Sequence, residues 1–205
     1  GAACARYLDE RGFRVFASVR KQPDADEITA LGSSRLEPLL LDVTDGESLR
    51  GAMRGMDVVV SACPFHLSLP IARAARDLSL HYFDLTEDVE TARRVREIAD
   101  GADTAFMPQC GLAPGFVSIA AYELVKRFDT LRRVRMRVGA LPLFPSNALK
   151  YNLTWSTAGL INEYCNPCQV VYDGELREVL VTAATFGPCA PKNPQPQAAP
   201  ETLAY

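Results

Sequence analysis

Short apolar runs recur along the first hundred residues at fairly even spacing, and text with a helical period follows most of them. Arg14–Val19, Leu39–Val43, Asp57–Ala62, His81–Leu85 and Thr104–Met107 are rich in β-branched or aromatic residues, the composition of strands buried on both faces. Ala2 to Arg11 reads as a helix that stops at Gly12. Ser68 can cap a second helix, with Pro70 in its first turn and Ile71, Ala74, Ala75 and Leu78 on one stripe. Asp88 can cap a third that turns Ala92, Val95, Ile98 and Ala99 inward. Pro114 opens a fourth, whose expected buried face is Val117, Ala120, Ala121, Leu124, Val125 and Phe128. Strands alternating with helices predict an α/β fold, a doubly wound Rossmann-like parallel sheet with right-handed crossovers.

The pattern changes after Phe128. From Arg133 to Val138 charged and apolar residues alternate, with Arg133, Arg135 and Arg137 against Val134, Met136 and Val138, the period of a strand with one wet or functional face. Gln169–Tyr172 and Glu175–Val181 flank Asp173-Gly174, a dipeptide that tolerates positive φ at both positions and so predicts a tight hairpin. Between these lies Lys150–Cys168, where Trp155 and Ser156 start a helix that Pro167 ends. Gly187 to Pro200 crowds prolines without an apolar period and predicts disorder. The expected organisation is a dinucleotide-binding domain over 1–130, a partial mixed α+β substrate domain over 131–185 and a disordered tail over 186–205.

Composition narrows the function classes. The chain has 205 residues, 48% of them hydrophobic, which is enough for a sizeable core. Its net charge of -3 argues against a nucleic-acid protein, which needs a basic surface to neutralise phosphates. No apolar run approaches the roughly 20 residues that span a bilayer, and the first residues do not read as a signal peptide, so a cytoplasmic protein without membrane contact is expected. The six cysteines are scattered and read as reduced thiols. Cys165 and Cys168 have the CxxC spacing of a redox pair or half a zinc site. No second pair accompanies them, and the histidines are only His66 and His81, so no metal is expected.

The candidate chemistry follows the strand ends. Gly1 precedes a helix as the last glycine of a nucleotide-binding βαβ unit does, although it also reads as a plain fragment boundary. The first strand and the two earlier glycines of such a unit are not in this text, so the expected sheet lacks its first strand. Arg20, with Lys21, stands where an acidic residue would hold a ribose hydroxyl, and a basic residue there suits a 2′-phosphate; NADP is expected ahead of NAD. Asp42 and Val43 are placed to meet adenine, and Ser61, Ala62, Cys63 and Pro64 the nicotinamide side. Lys150–Cys168 places a cation, aromatic rings and hydroxyls at a strand-to-helix junction, one wall of a small-molecule site or an ordinary buried strand and helix.

Several segments taken together resemble the saccharopine dehydrogenase-like family, which includes lysine 6-dehydrogenase and carboxynorspermidine dehydrogenase relatives. They run from Asp57 to Val179: DVVVSACPFHLSLPIARAA, HYFDLTED, MPQCGLAPGF, GALP and LKYNLTWSTAGLINEYCNPC. The resemblance implies a Rossmann domain with an inserted mixed domain, and NAD(P)-dependent hydride transfer at a carbon–nitrogen bond of an amino acid or polyamine. It leaves room for a homodimer. It implies that Asp84 holds a substrate ammonium or orients an acid–base group, the alternative being a capping carboxylate. Tyr82, Cys110 and Gly111 are implied at the substrate, the loop through Pro114-Gly115 offering helix amides to a carboxylate; Cys110 also reads as a buried small residue. Lys150 and Tyr151 are implied catalytic residues, Lys150 pairing a carboxylate or carrying a proton, and Arg137 a carboxylate clamp or a wet-face arginine. After about Leu180 the resemblance ends, and with the first strand also absent the text reads as an incomplete form, or as a non-catalytic remnant that binds a dinucleotide or a partner. Residues 1–45 resemble a short-chain dehydrogenase instead, through GAACARYLDERGFRVFASVRK and LDVTD, and Tyr122 and Lys126 supply the YxxxK spacing of that group. The alternative is therefore a reductase acting on carbon–oxygen bonds.

Overall fold

A computed structural model describes residues 1–136, 138, 143–144 and 157–179. The chain divides into two compact units, Gly1–Phe83 with Arg94–Phe106, and Asp84–Arg93 with the residues from Met107 on.

The first unit begins with α1 (Ala2–Glu10), β1 (Val15–Val19), α2 (Gln22–Leu31) and β2 (Leu36–Leu40). Gly12 ends α1 by adopting φ +89, a left-handed conformation that a Cβ disfavours. β1 and β2 pair in parallel from Val15↔Leu36 to Val19↔Leu40. The second strand starts three residues earlier than its apolar run suggests, because Pro38 lies inside it. Proline donates no ladder hydrogen bond, so a strand containing it is confined to a sheet edge, and among the described residues β2 has β1 as its one neighbour. Ala5, Ile28 and Leu36 form a small buried cluster here. Beside it, the buried Asp9 carboxylate accepts from the Ser33 amide at 2.9 Å and lies 3.4 Å from the Arg35 guanidinium, tying α1 to the turn before β2.

The chain continues through α3 (Gly46–Met53), β3 (Val58–Ser61), a 3-10 turn at Phe65–Leu67, α4 (Ser68–Asp77), β4 (His81–Asp84), α5 (Val89–Ala99) and β5 (Phe106–Met107). β3, β4 and β5 form a sheet in that order, with helices as the crossovers. Its main core gathers Leu49 and Met53 of α3, Ile71, Ala72, Ala74 and Ala75 of α4, Leu80, Tyr82 and Val95. Three alanines on α4 let its backbone approach closely, which is why Tyr82 is sealed and stacked on Phe106 with ring centroids 5.6 Å apart. Among the described residues β1 and β3 are not paired with each other.

The second unit contains α6 (Phe116–Val125), α7 (Thr157–Cys165) and a hairpin of β6 (Cys168–Tyr172) and β7 (Glu175–Val179). Asp173 at φ 52 and Gly174 at φ 78 make the two-residue turn, the geometry that matches the twist of an antiparallel pair.

Three expectations change here. α2 and α3 form where no helix was expected, the first with only Ala25 and Ile28 named in its buried stripe, the second held by Leu49 and Met53. The described residues 131–136 form no strand, although Val134 and Met136 are half-buried and Arg133 and Arg135 exposed, as the alternation requires; no partner strand hydrogen-bonds to this segment among the described residues. No residue of α6 is fully buried. Val117, Ala120, Ala121 and Val125 are half-covered, while Leu124 and Phe128 are exposed and Phe116 and Ile119 reach 64% and 67% exposure. A helix apolar on nearly every side can hide only one stripe. Arg137, Lys150, Tyr151, Trp155, Ser156 and the tail 186–205 lie outside the described residues.

Candidate functional site

In the first unit the polar candidates sit at the carboxyl ends of strands, where open α/β sheets bind ligands. Arg20 follows β1 directly and is exposed. Asp42 lies two residues beyond β2. Its Oδ1 accepts from the Thr44 amide at 2.9 Å and the Thr44 hydroxyl at 2.7 Å. The Thr44 hydroxyl and then its amide hold the Asp42 carboxyl below the usual carboxylate range, and the Arg20 guanidinium adds to the effect across the strand ends. Val43 beside it is half-buried. Ser61 closes β3 with its side chain buried, its hydroxyl accepting from the Cys63 amide at 3.5 Å. Ala62 and Pro64 are exposed and Cys63 half-buried. Gly1 stands at the N-cap of α1 without a side-chain cap hydrogen bond.

In the second unit Asp84 is the centre of a buried polar cluster. It is 1% exposed. Its Oδ1 accepts from the Thr86 amide at 3.0 Å and from the Gln109 amide at 3.1 Å, and its backbone oxygen accepts from the Cys110 amide at 2.8 Å. The Thr86 hydroxyl takes the Asp88 amide at 3.2 Å, and Asp88 caps α5 through the Thr91 amide at 2.6 Å. Asp84 thus clasps the end of β4 to the turn after β5. Gln109, at φ 64, is the hinge of that turn.

The loop from Cys110 to α6 is held by its own backbone. A Cβ on Gly115, whose φ is 127, would stand 2.3 Å from the Gly111 oxygen, so no other residue fits. The Phe116 amide donates to the Gly111 oxygen at 2.8 Å, the Val117 amide to the Leu112 oxygen at 3.0 Å and the Ser118 amide to the Gly115 oxygen at 3.1 Å. These first-turn amides of α6 are therefore spoken for within the loop, so a substrate carboxylate does not find them free. Cys110 is exposed, and its thiol donates to the Met107 oxygen at 3.2 Å. Desolvation, and then the charge of Asp84, push its pKa up, so it stays a neutral thiol at ordinary pH.

Other candidates fall away from the site. Tyr82 is wholly buried in the core of the first unit, with its hydroxyl 3.4 Å from the Ser68 oxygen, a packing role that leaves no surface for a substrate. Lys126 pairs with Glu123 at 3.0 Å and lies over the ring of Tyr122, itself 65% exposed. Among the described residues nothing encloses this exposed YxxxK pair. Cys165 ends α7 as an exposed free thiol. Sequence reasoning missed Thr44, Thr86 and Gln109. The signal was present in Asp-x-Thr at two strand ends, the spacing with which an Asp side chain holds the amide two residues on.

Residues 1–107 match the saccharopine dehydrogenase NADP binding domain, and residues 111–202 match the saccharopine dehydrogenase C-terminal domain. The chain belongs to the saccharopine dehydrogenase family. It is 27% identical over 162 residues to an alpha-aminoadipic semialdehyde synthase of Arabidopsis thaliana, covering 76% of this chain and 15% of that protein. A saccharopine dehydrogenase [NADP(+), L-glutamate-forming] of Pyricularia oryzae is 23% identical over 178 residues, 84% of this chain and 39% of the relative. Apo saccharopine dehydrogenase (L-Glu forming) from Saccharomyces cerevisiae has a similar fold, with a TM-score of 0.60 at 21% identity over 88% of this chain and 42% of that one. The chain thus spans less than half the length of each of these. Short-chain enzymes also match, among them human retinol dehydrogenase 5 at 40% identity over 60 residues, 29% of this chain and 19% of that protein. Family membership sets NAD(P) as the cofactor class. Among the described residues no helix is long and apolar enough to cross a membrane.

Proposed function

We propose that this chain serves an NAD(P)-dependent oxidoreductase that moves hydride at a carbon–nitrogen bond of an amino acid or polyamine, in the cytoplasm and with a homodimer as its assembly. Residues 1–130 act as the dinucleotide-binding domain and 131–185 as part of the substrate domain. The observation that carries this reading is Arg20 set beside Asp42 at adjacent carboxyl ends of β1 and β2, in a chain whose first 107 residues match the family's NADP binding domain. Arg20, with Lys21, takes the 2′-phosphate, which favours NADP over NAD; Asp42 and Val43 face the adenine, Ser61, Ala62, Cys63 and Pro64 the nicotinamide side, and Gly1 the pyrophosphate. When bound, the nicotinamide supplies hydride acceptance or donation. Asp84, with Oδ1 committed to two backbone amides, serves the reaction as a positioning residue: it fixes the turn from which Cys110 and Gly111 meet the substrate. Lys150 and Tyr151 carry or orient the proton, and Arg137 holds a carboxylate.

Titration with NADPH and NADH, read by cofactor fluorescence and thermal melting, tests the cofactor part. NADPH is expected to bind at least tenfold more tightly, and Arg20→Asp to reverse the order. No response to either cofactor, or an unchanged ratio in the variant, overturns it. Reduction of NADP by alcohols but by no amine or amino acid overturns the carbon–nitrogen assignment.

A further inference from the structure

A cleft of about 670 Å³ lies within the second unit, between the C-terminal half of α6 and the segment Thr130–Met136. None of the site residues described above lines it. Val125, Phe128, Val134 and Met136 give it an apolar floor, and Arg132, Arg133 and Arg135 also line it. None of its lining residues is acidic. That is the reverse of the chain as a whole, whose net charge is -3. The alternation along 133–136 produces the combination, since it turns Val134 and Met136 inward and leaves Arg133 and Arg135 exposed around them.

We propose that this cleft binds a small amphiphilic anion, a carboxylate carrying an unbranched aliphatic tail. Its volume falls in the range of small-ligand sites, about 300–1,000 Å³. The guanidinium groups match a carboxylate in charge and in the spacing of their paired donors. The aliphatic and thioether floor matches a flexible hydrocarbon, and Met136 adapts to its contour. Neither half suffices alone: arginines without the floor would take any inorganic anion, and the floor without arginines any oil. Arg132 and Arg135 are exposed, and the charge assignment rests on them.

Calorimetric titration of the full chain with octanoate, octanol and acetate, each below micellar concentrations, tests the proposal. Saturable octanoate binding is expected, with octanol at least tenfold weaker and acetate without effect. The double variant R132A/R135A should lose octanoate binding at least tenfold with an unchanged melting temperature, because both side chains are exposed. Phe128→Gln, at another exposed position, should weaken octanoate as well. Absence of octanoate binding, equal binding of octanol, equal binding of acetate, or an unaffected double variant overturns it. So does saturation only by an acidic amphipathic peptide, which would make the cleft a protein-docking face. NADPH titrated into the same samples reports separately on the dehydrogenase reading.

Discussion

Two strands of this chain run into nearly the same text: Asp42-Val43-Thr44-Asp45 after β2, and Asp84-Leu85-Thr86-Glu87-Asp88 at the end of β4. In both, the first Asp holds the amide of a Thr two residues on and the last Asp caps the next helix, Asp45 through the Glu47 amide and Asp88 through the Thr91 amide. Among the described residues the side-chain hydrogen bonds of Asp42 and Asp45 all end within three residues, on an exposed turn. Asp84 is buried, and its carboxylate also reaches the Gln109 amide 25 positions further along. The same local device is a turn-and-cap in one place and a long-range clasp in the other. What separates them is a second loop within reach, since burial turns a local hydrogen bond into one whose loss is felt by two segments.

The strongest way to break this comparison is to remove the two leading carboxylates. Asp84→Ala leaves the Thr86 and Gln109 amides without this acceptor, at about 1–3 kcal/mol for each buried group that stays unsatisfied. Asp42→Ala, on the exposed turn, should shift the urea midpoint far less, because water replaces the lost acceptor. Asp84→Asn keeps an oxygen for both amides and should recover most of the loss. Equal midpoint shifts for the two alanine variants would mean that the clasp is no more than a turn.

The next effect concerns what the clasp holds. Gly115→Ala forces a side chain into φ 127 and against the Gly111 oxygen, a strain of about 1–3 kcal/mol. Hydrogen exchange should show faster exchange at the Phe116 and Val117 amides with no change at Thr44 or Glu47. Uniformly faster exchange would show that the loop is not a separable element.

The sequence is legible where a single residue type has a single use. Asp173-Gly174 foretold its hairpin turn, Asp88 its cap, and the apolar stripe Ile71, Ala74, Ala75 the packed face of α4, because each rests on chemistry contained in a few adjacent residues. Ser68 was expected as a cap, yet its hydroxyl is buried without a partner and Leu67 stands at the cap position. The start of β2 was missed, since a proline inside an edge strand looks like a stop. The burial of α6 was misjudged because a helix apolar all round has no polar side to say which stripe is covered. In the candidate site the placement of Arg20, Asp42 and Ser61 at or just past strand ends was readable from position alone. The closed loop before α6 was not, because backbone amides bonding backbone carbonyls leave no mark on side-chain identity.

A second pair of variants sharpens the comparison at its matching end. Asp88→Ala should cost about 1 kcal/mol, the usual effect of losing a helix cap. Asp45→Ala should move the midpoint in the same direction and by a comparable amount, since both caps serve only the first turn of the helix that follows. If the caps match while the leading carboxylates differ, the distinction belongs to Gln109 and not to the turn itself.

The smallest effect is in acid. The Thr44 hydroxyl and amide lower the pKa of Asp42, and the Ser48 hydroxyl and Glu47 amide lower that of Asp45. A carboxyl whose folded pKa lies below its unfolded value binds protons more readily when unfolded. Its contribution is therefore fully present above the unfolded value, about 3.9, and is lost as pH falls through the folded one. The urea midpoint should be flat with respect to these two groups from pH 7 to about 5 and decline below about 4. The double variant Asp42→Asn with Asp45→Asn should start from a lower midpoint at pH 7 and decline less steeply in acid, so that its curve approaches the parent's. Parallel curves would show that these exposed carboxylates are not held by their turn, leaving the buried clasp as the only one of the two devices that contributes to the fold.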